Sequence, residues 1–184
     1  MKILVTGAAG FLGYHLCQKL LSQKHFVIGF DNFITGSRDN VIALGKNSQF
    51  IFFERDINFP FILPKKILKV DQIYHLACPT GVDNLIPLAE QMLLTCSLGT
   101  KNVLEIARVN KAKFLFTSSS EIYGDPQISP QDENYSGNVD VTSIRSPYME
   151  GKRFSESEIV MYIRKYKIDA DIVRVFNTYG PNMK

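Results

Sequence analysis

Gly7-Ala8-Ala9-Gly10-Phe11-Leu12-Gly13 is the stretch on which the fold turns. It follows Ile3-Leu4-Val5, a short apolar strand pattern, and opens a helical pattern from Phe11 to Leu21. Glycine lets a backbone turn tightly and approach a pyrophosphate, whose charge is favoured at a helix N-terminus. The next strand pattern, His25 to Phe30, ends at Asp31. A carboxylate there accepts hydrogen bonds from adenosine ribose hydroxyls and repels a 2′-phosphate, which selects NAD over NADP. The glycines alone are a weak signal, and a purely structural strand–turn–helix with a solvated Asp is the competing reading.

Further strand patterns lie at Phe50–Phe53, Gln72–Ala77, Lys113–Thr117 and Ala170–Phe176, with helical patterns at Leu88–Asn110 and Tyr148–Tyr166. Strands alternating with helices predict an α/β fold, a doubly wound parallel sheet of Rossmann type in three αβα layers. The stretch from Gly124 to Pro147 is rich in Pro, Asp, Asn, Gly and Ser and reads as a surface loop, a lid or rim of the site. The sequence stops at Lys184, shortly after the last strand and a Tyr179-Gly180-Pro181 turn, with no closing helix. The expectation is an NAD-binding domain over residues 1–184, with a C-terminal substrate-binding domain missing.

The net charge of +3 gives no case for nucleic-acid binding and suits an anionic small molecule. Cys17, Cys78 and Cys96 are too far apart for a C-x-x-C pair and read as reduced, buried thiols. No metal site is expected. No apolar run approaches the length of a membrane span, and the first strand starts at once, leaving no room for a signal peptide. The expected location is the cytoplasm.

Tyr148-Met149-Glu150-Gly151-Lys152 puts a phenol and an ammonium on one face of a helix. Hydride removal from an alcohol needs a base for the hydroxyl proton, and a neighbouring cation lowers the phenol's pKa toward that task. The same Lys152 can hydrogen-bond the nicotinamide ribose. Ser119, in the cluster Ser118-Ser119-Ser120 at a strand end, is the candidate donor to the reacting oxygen, with its two neighbours as alternatives. Glu121 is a candidate acid or base beside the sugar, or else an exposed loop charge.

The G-x-x-G-x-x-G spacing with these motifs resembles the extended short-chain dehydrogenase/reductase (NAD-dependent epimerase/dehydratase) family. The resemblance runs from Lys2 to Asn182 and is carried by Asp31-Asn32-Phe33-Ile34-Thr35-Gly36, Val70 to Pro79, Ser119 to Pro126, Arg145 to Arg153, and Arg174 to Pro181. Among its nucleotide-sugar-modifying members the likeness is greatest to the UDP-glucuronate decarboxylase branch. It implies an enzyme in which Tyr148 deprotonates the sugar 4-hydroxyl and hydride passes to NAD. The 4-keto uronate then loses carbon dioxide, and the hydride is returned.

It further implies that Gly7, Gly10, Phe11, Leu12, Gly13, Asp31, Asn32, Phe33, Thr35 and Gly36 hold the cofactor. Asp56 and Ile57 would read the adenine, Leu76, Ala77, Cys78 and Thr95 would line the cleft, and Tyr148 and Lys152 would reach the nicotinamide end. Pro79, Glu121, Tyr162 and Asn177 would contact the UDP-sugar substrate, with a plain helix-face aromatic as the equal alternative for Tyr162. A homodimer through the helices Leu88–Asn110 and Tyr148–Tyr166 is implied as well. The chain departs from that branch at Leu94-Thr95-Cys96, where a Lys-Thr-Asn run is usual, and at Ser119, where Thr is common. Ser120 stands where the family's dehydratases place an Asp, which disfavours water elimination. A 4-epimerase is the nearest alternative enzyme, and an NAD-binding module without turnover is the alternative of another class.

Overall fold

A computed structural model describes residues 1–63, 67, 69–181 and 183. The far end of the likeness, Asn182, and the last residue, Lys184, lie outside the described residues. Six strands, β1 (Lys2–Thr6), β2 (Phe26–Asp31), β3 (Phe50–Glu54), β4 (Gln72–His75), β5 (Lys113–Ser119) and β6 (Ala170–Val175), form one sheet in the order β3-β2-β1-β4-β5-β6. Every pairing is parallel. The order reverses between β1 and β4, and a crevice opens there beyond the carboxyl ends of the strands, where ligands bind in such sheets.

Both sheet faces are apolar because both are covered, as a parallel sheet requires. Ile3, Val5 and Val27 pack with Tyr14, Cys17, Leu20 and Leu21 of α1 (Phe11–Ser22) and Leu44 of α2 (Arg38–Leu44). On the other face Leu4, Ile28, Phe114 and Phe116 pack with Val103 and Leu104 of α4 (Thr100–Asn110) and Ile159 of α5 (Ser146–Tyr166). Successive residues of β1 serve opposite cores, the two-residue alternation of a strand turned to use on both sides. The α1 layer stops short of the β6 edge: Val173, paired with Thr117, is 44% exposed.

The predicted helix over Leu88–Asn110 is interrupted. It comprises α3 (Ala89–Leu94), a wide π turn at Thr95–Gly99, and α4. Gly99 sits tightly against the loop after β3, where a Cβ would meet Asn58 Oδ1 and Ile57 Cδ1, each at 3.0 Å. Ser155 of α5 donates to the Cys96 carbonyl at 2.6 Å, satisfying a backbone group inside the wide turn. Helix α2 is an addition to the sequence reading. It is seven residues long and buries only Leu44, too little apolar periodicity to signal itself.

Candidate active site

Gly10 precedes α1 without a side chain to cap it, so the first-turn N–H groups stay open to a ligand. Gly7 has φ of +72°, and a Cβ there would come within 2.9 Å of Ala77 N. A Cβ on Gly13 would run into the Gly7 carbonyl. The turn therefore lies against β4 and α1 as closely as only glycine permits.

Asp31 ties this turn to β2. Its Oδ2 accepts from Ala9 N at 3.0 Å and its Oδ1 from Phe33 N at 2.8 Å. Burial pushes the carboxyl above its ordinary range, while the N–H groups of Phe33, Ala9 and Asn32 pull it back. A Cβ on Gly36 would lie 2.7 Å from Asp31 Oδ1. Gly36 thus acts by leaving room for the carboxylate and not by lining the cavity.

The principal cavity, of about 930 Å³, lies at the β1/β4 switch point. It is within the range of small-molecule sites. Of the residues predicted to hold the cofactor, Gly7, Gly10, Phe11, Leu12, Gly13, Asp31, Asn32, Thr35, Asp56, Ile57, Leu76, Ala77, Cys78 and Thr95 line it. So do Ser119, Glu121, Tyr148 and Lys152, and Pro79 and Asn177 of the predicted substrate contacts.

Phe33 does not line the cavity. Its φ is +59°, and its ring packs on Phe52 and beneath the Arg38 guanidinium, 4.1 Å from the ring centroid. Tyr162 is corrected outright: it is 3% exposed in the α4/α5 core and donates to Glu105 Oε1 at 2.6 Å, away from the cavity. Its hydroxyl is already committed within the fold.

The catalytic candidates meet at the end of β5. Lys152, 3% exposed, donates from Nζ to the Thr117 carbonyl at 2.7 Å and lies 5.8 Å from the Tyr148 ring centroid. Burial alone would lower its pKa, but negative charge on Cys78, Cys96 and Tyr148 raises it, and the net shift is upward. The expectation was a phenol pulled down by this cation. Here the burial of Tyr148 outweighs the lowering by Lys152 and by the hydrogen bond with Ser119, and the net shift is upward. The resting group is therefore the phenol, poised to donate as well as to accept.

Ser119 Oγ also accepts from Glu121 N at 3.2 Å. The side chain of Glu121 is not a loose loop charge. Both its oxygens are held by Arg145, Oε2 by Nε at 2.9 Å and Oε1 by Nη2. Arg145 lines the cavity and was missed as a site residue. It stands just ahead of Tyr148 at the start of α5, and an arginine one helical turn before the Y-x-x-x-K pair is the signal that would have found it. Arg55 also lines the cavity unpredicted, and Ser118 and Ser120, the alternatives to Ser119, line it as well.

The Gly124–Pro147 loop contributes only Arg145 to the cavity wall. The rest is strapped to the body. Arg153 donates to the Ile122 and Ser136 carbonyls at 2.9 and 2.7 Å, and Arg174, paired with Glu156, donates to Tyr123 Oη and the Glu133 carbonyl at 2.8 and 2.7 Å. The loop is a rim more than a lid.

The residues present fit a dinucleotide. The glycine turn, the open N-terminus of α1 and Asp31 stand at one end of the cavity, and buried Ser118 Oγ, which has no protein partner, lies at the other. Among the described residues no cluster of metal-ligating side chains occurs, and no helix is long and apolar enough to cross a membrane.

Fold and site together define a dinucleotide-binding α/β domain carrying the Ser/Tyr/Lys set of a short-chain dehydrogenase. The chain belongs to the NAD dependent epimerase/dehydratase family, whose sequence profile matches residues 3–184. It is 44% identical to UDP-glucuronic acid decarboxylase 6 of Arabidopsis thaliana over 184 residues, all of this chain and 52% of that protein. It is 39% identical to UDP-glucuronic acid decarboxylase 1 of Xenopus tropicalis, over 99% of this chain and 42% of that protein. The chain thus spans about half the length of the curated relatives it matches. Its structure superposes on UDP-glucuronic acid 4-epimerase from Bacillus cereus, solved with UDP-glucuronic acid and NAD. The TM-score is 0.87 at 34% identity, over all of this chain and 59% of that one.

Proposed function

We propose that this chain is the cofactor-holding and proton-transferring part of an enzyme that decarboxylates UDP-glucuronate through a 4-keto intermediate. The observation that carries the reading is the meeting of Ser119, Glu121, Tyr148 and Lys152 with the glycine turn and Asp31 on one cavity. The decarboxylases among its relatives supply the substrate class.

NAD, when bound, takes a hydride from the sugar C4 and gives it back. The first turn of α1 holds the pyrophosphate, Asp31 the adenosine ribose, and Lys152 the nicotinamide ribose. Ser119 donates to the sugar O4 and fixes it beside Tyr148. Tyr148 passes the O4 proton in both directions, with the fixed Lys152 charge stabilising the phenolate. Once C4 is a ketone, the carboxylate lies β to it, and the C–CO₂ bond breaks with its electrons flowing into an enolate at O4. Ser119 and Tyr148 stabilise that oxygen. C5 then takes a proton from solvent, which restores the ketone that receives the hydride. Glu121, held by Arg145, flanks the ring, and Asn177 and Pro79 bound the sugar.

Incubation of the protein with NAD and UDP-glucuronate tests this, with carbon dioxide and UDP-xylose as expected products. The likeness to the Bacillus cereus structure favours a second reading, 4-epimerisation. UDP-galacturonate without carbon dioxide would establish it instead. NAD binding with no turnover of any nucleotide sugar would leave a binding module. The reading includes a homodimer through the segments Leu88–Asn110 and Tyr148–Tyr166, where Leu98, Phe154 and Met161 are exposed, and a cytoplasmic location, in keeping with three free cysteines.

A further inference from the structure

Two side chains of the cavity region have no part in the chemistry above. Cys78, in the segment after β4, lines the cavity, and Cys96 lies buried behind it in the wide turn between α3 and α4. Their Sγ atoms are 3.6 Å apart, and both are free thiols. Cys96 is closely fitted: a Cβ on Gly151 of α5 would lie 3.1 Å from Cys96 Cβ, and Ser155 holds the Cys96 carbonyl at 2.6 Å. Cys96 occupies one of the positions at which the sequence departs from the decarboxylase branch. The third cysteine, Cys17, is buried in the other core, under α1.

We propose that Cys78 and Cys96 are a dithiol modification site, which a hydroperoxide entering the cavity converts into an intramolecular disulfide in the cavity wall. The inference stands on the placement of the thiols and not on the nucleotide-sugar reading.

Cys78 Sγ is the sulfur that a molecule in the cavity meets. It attacks the peroxide oxygen, and its own proton goes to the departing oxygen. The S–O bond forms, the O–O bond breaks, and the alkoxide or hydroxide leaves as alcohol or water with the Cys78 proton. Cys96 Sγ then attacks the sulfenic sulfur of Cys78. The S–S bond forms, the S–O bond breaks, and the hydroxide leaves as water with the Cys96 proton. The two thiols are oxidised by two electrons and the hydroperoxide is reduced by two.

The environment favours this traffic. The thiol–thiol hydrogen bond lowers Cys96 and raises Cys78, and the Lys152 ammonium favours the thiolate at both. A disulfide needs the sulfurs at about 2.05 Å, so they must close by roughly 1.5 Å. The bond would tie the segment that carries Ala77 to the turn that carries Thr95, both cavity walls. It would also remove the two thiols beside the Lys152 ammonium.

The test takes the reduced protein, frees it of reductant, and adds graded hydrogen peroxide. After alkylation in denaturant, peptides are mapped by mass spectrometry. The expected result is the loss of two of the three alkylatable thiols, one cross-linked peptide joining Cys78 to Cys96, Cys17 still alkylated, and full reversal by dithiothreitol. In Cys96→Ser the cross-link disappears and Cys78 is instead trapped as sulfenic acid by dimedone. Accumulation of sulfinic acid on Cys78 of the unaltered protein without the cross-link overturns the proposal. So does survival of all three thiols until methionine is oxidised, or a link between chains. None of these readouts depends on turnover, so failure of the enzymatic reading leaves this test intact.

Discussion

Tyr148 sits between two opposing influences. Burial makes the phenolate costly, while Lys152 and Ser119 offset part of that cost. The group is useful only while the ammonium is fixed, and the 2.7 Å bond from Nζ to the Thr117 carbonyl fixes it. Tyr148→Phe removes the transferable proton and keeps the ring. Turnover should fall by about 10³-fold, within the usual range for general acid–base groups, while NAD affinity by titration calorimetry changes less than about threefold. A variant that retained a tenth of the activity would remove Tyr148 from the proton path. Tyr162→Phe should do the reverse. It leaves Glu105 without its buried hydroxyl, so urea unfolding should show a loss of about 1 kcal/mol with kcat/KM unchanged. The Tyr148/Lys152 pair was legible because the helical period alone places it on one face. Tyr162 was not, because periodicity gives a side chain's face and says nothing of how deep the neighbouring helix lies.

At the scale of elements, α5 carries both the Tyr148/Lys152 pair and a stability liability. Glu158 has a buried Oε2 without a protein partner. Burial raises its carboxyl from 4.5 to about 7, with Lys101 opposing. A carboxyl raised on folding favours the folded state while it is protonated. That contribution is complete below about pH 4.5 and is lost as the pH rises through about 7. Glu158→Gln has no charge to bury, so at pH 8 it should be more stable than the parent by about 1 kcal/mol after allowance for solvent screening. By pH 5 most of that gain should be gone. Urea midpoints measured at the two pH values decide it, and a gain independent of pH would mean that ionisation is not the cause. The elements themselves were legible wherever an apolar period ran long enough, as in α1, α5 and the six strands. The π turn was not. It follows from Gly99 packing on Asn58 and from Ser155 reaching the Cys96 carbonyl, both contacts between segments distant in sequence.

At the scale of the molecule, the sheet places its cavity at one end and leaves the outer face of α3, α4 and α5 on another side. The cavity wall and the proposed dimer face of this layer are therefore separable. Leu98 is 48% exposed, Phe154 53% and Met161 41% on that face, although the rows beneath them form the larger core. Apolar side chains left in water on adjoining helices gain from burial against a second copy, and packing of paired helices is the simplest closed arrangement. If they form the dimer surface, charges placed there must break it without touching the cavity. Leu98→Glu with Phe154→Glu should shift the protein in sedimentation velocity from dimer to monomer at micromolar concentration. NAD affinity should stay within about threefold of the parent, because neither residue lines the cavity. An unaltered dimer in the double variant would put the interface elsewhere. A monomer in the parent at the same concentration would remove the dimer from the proposal.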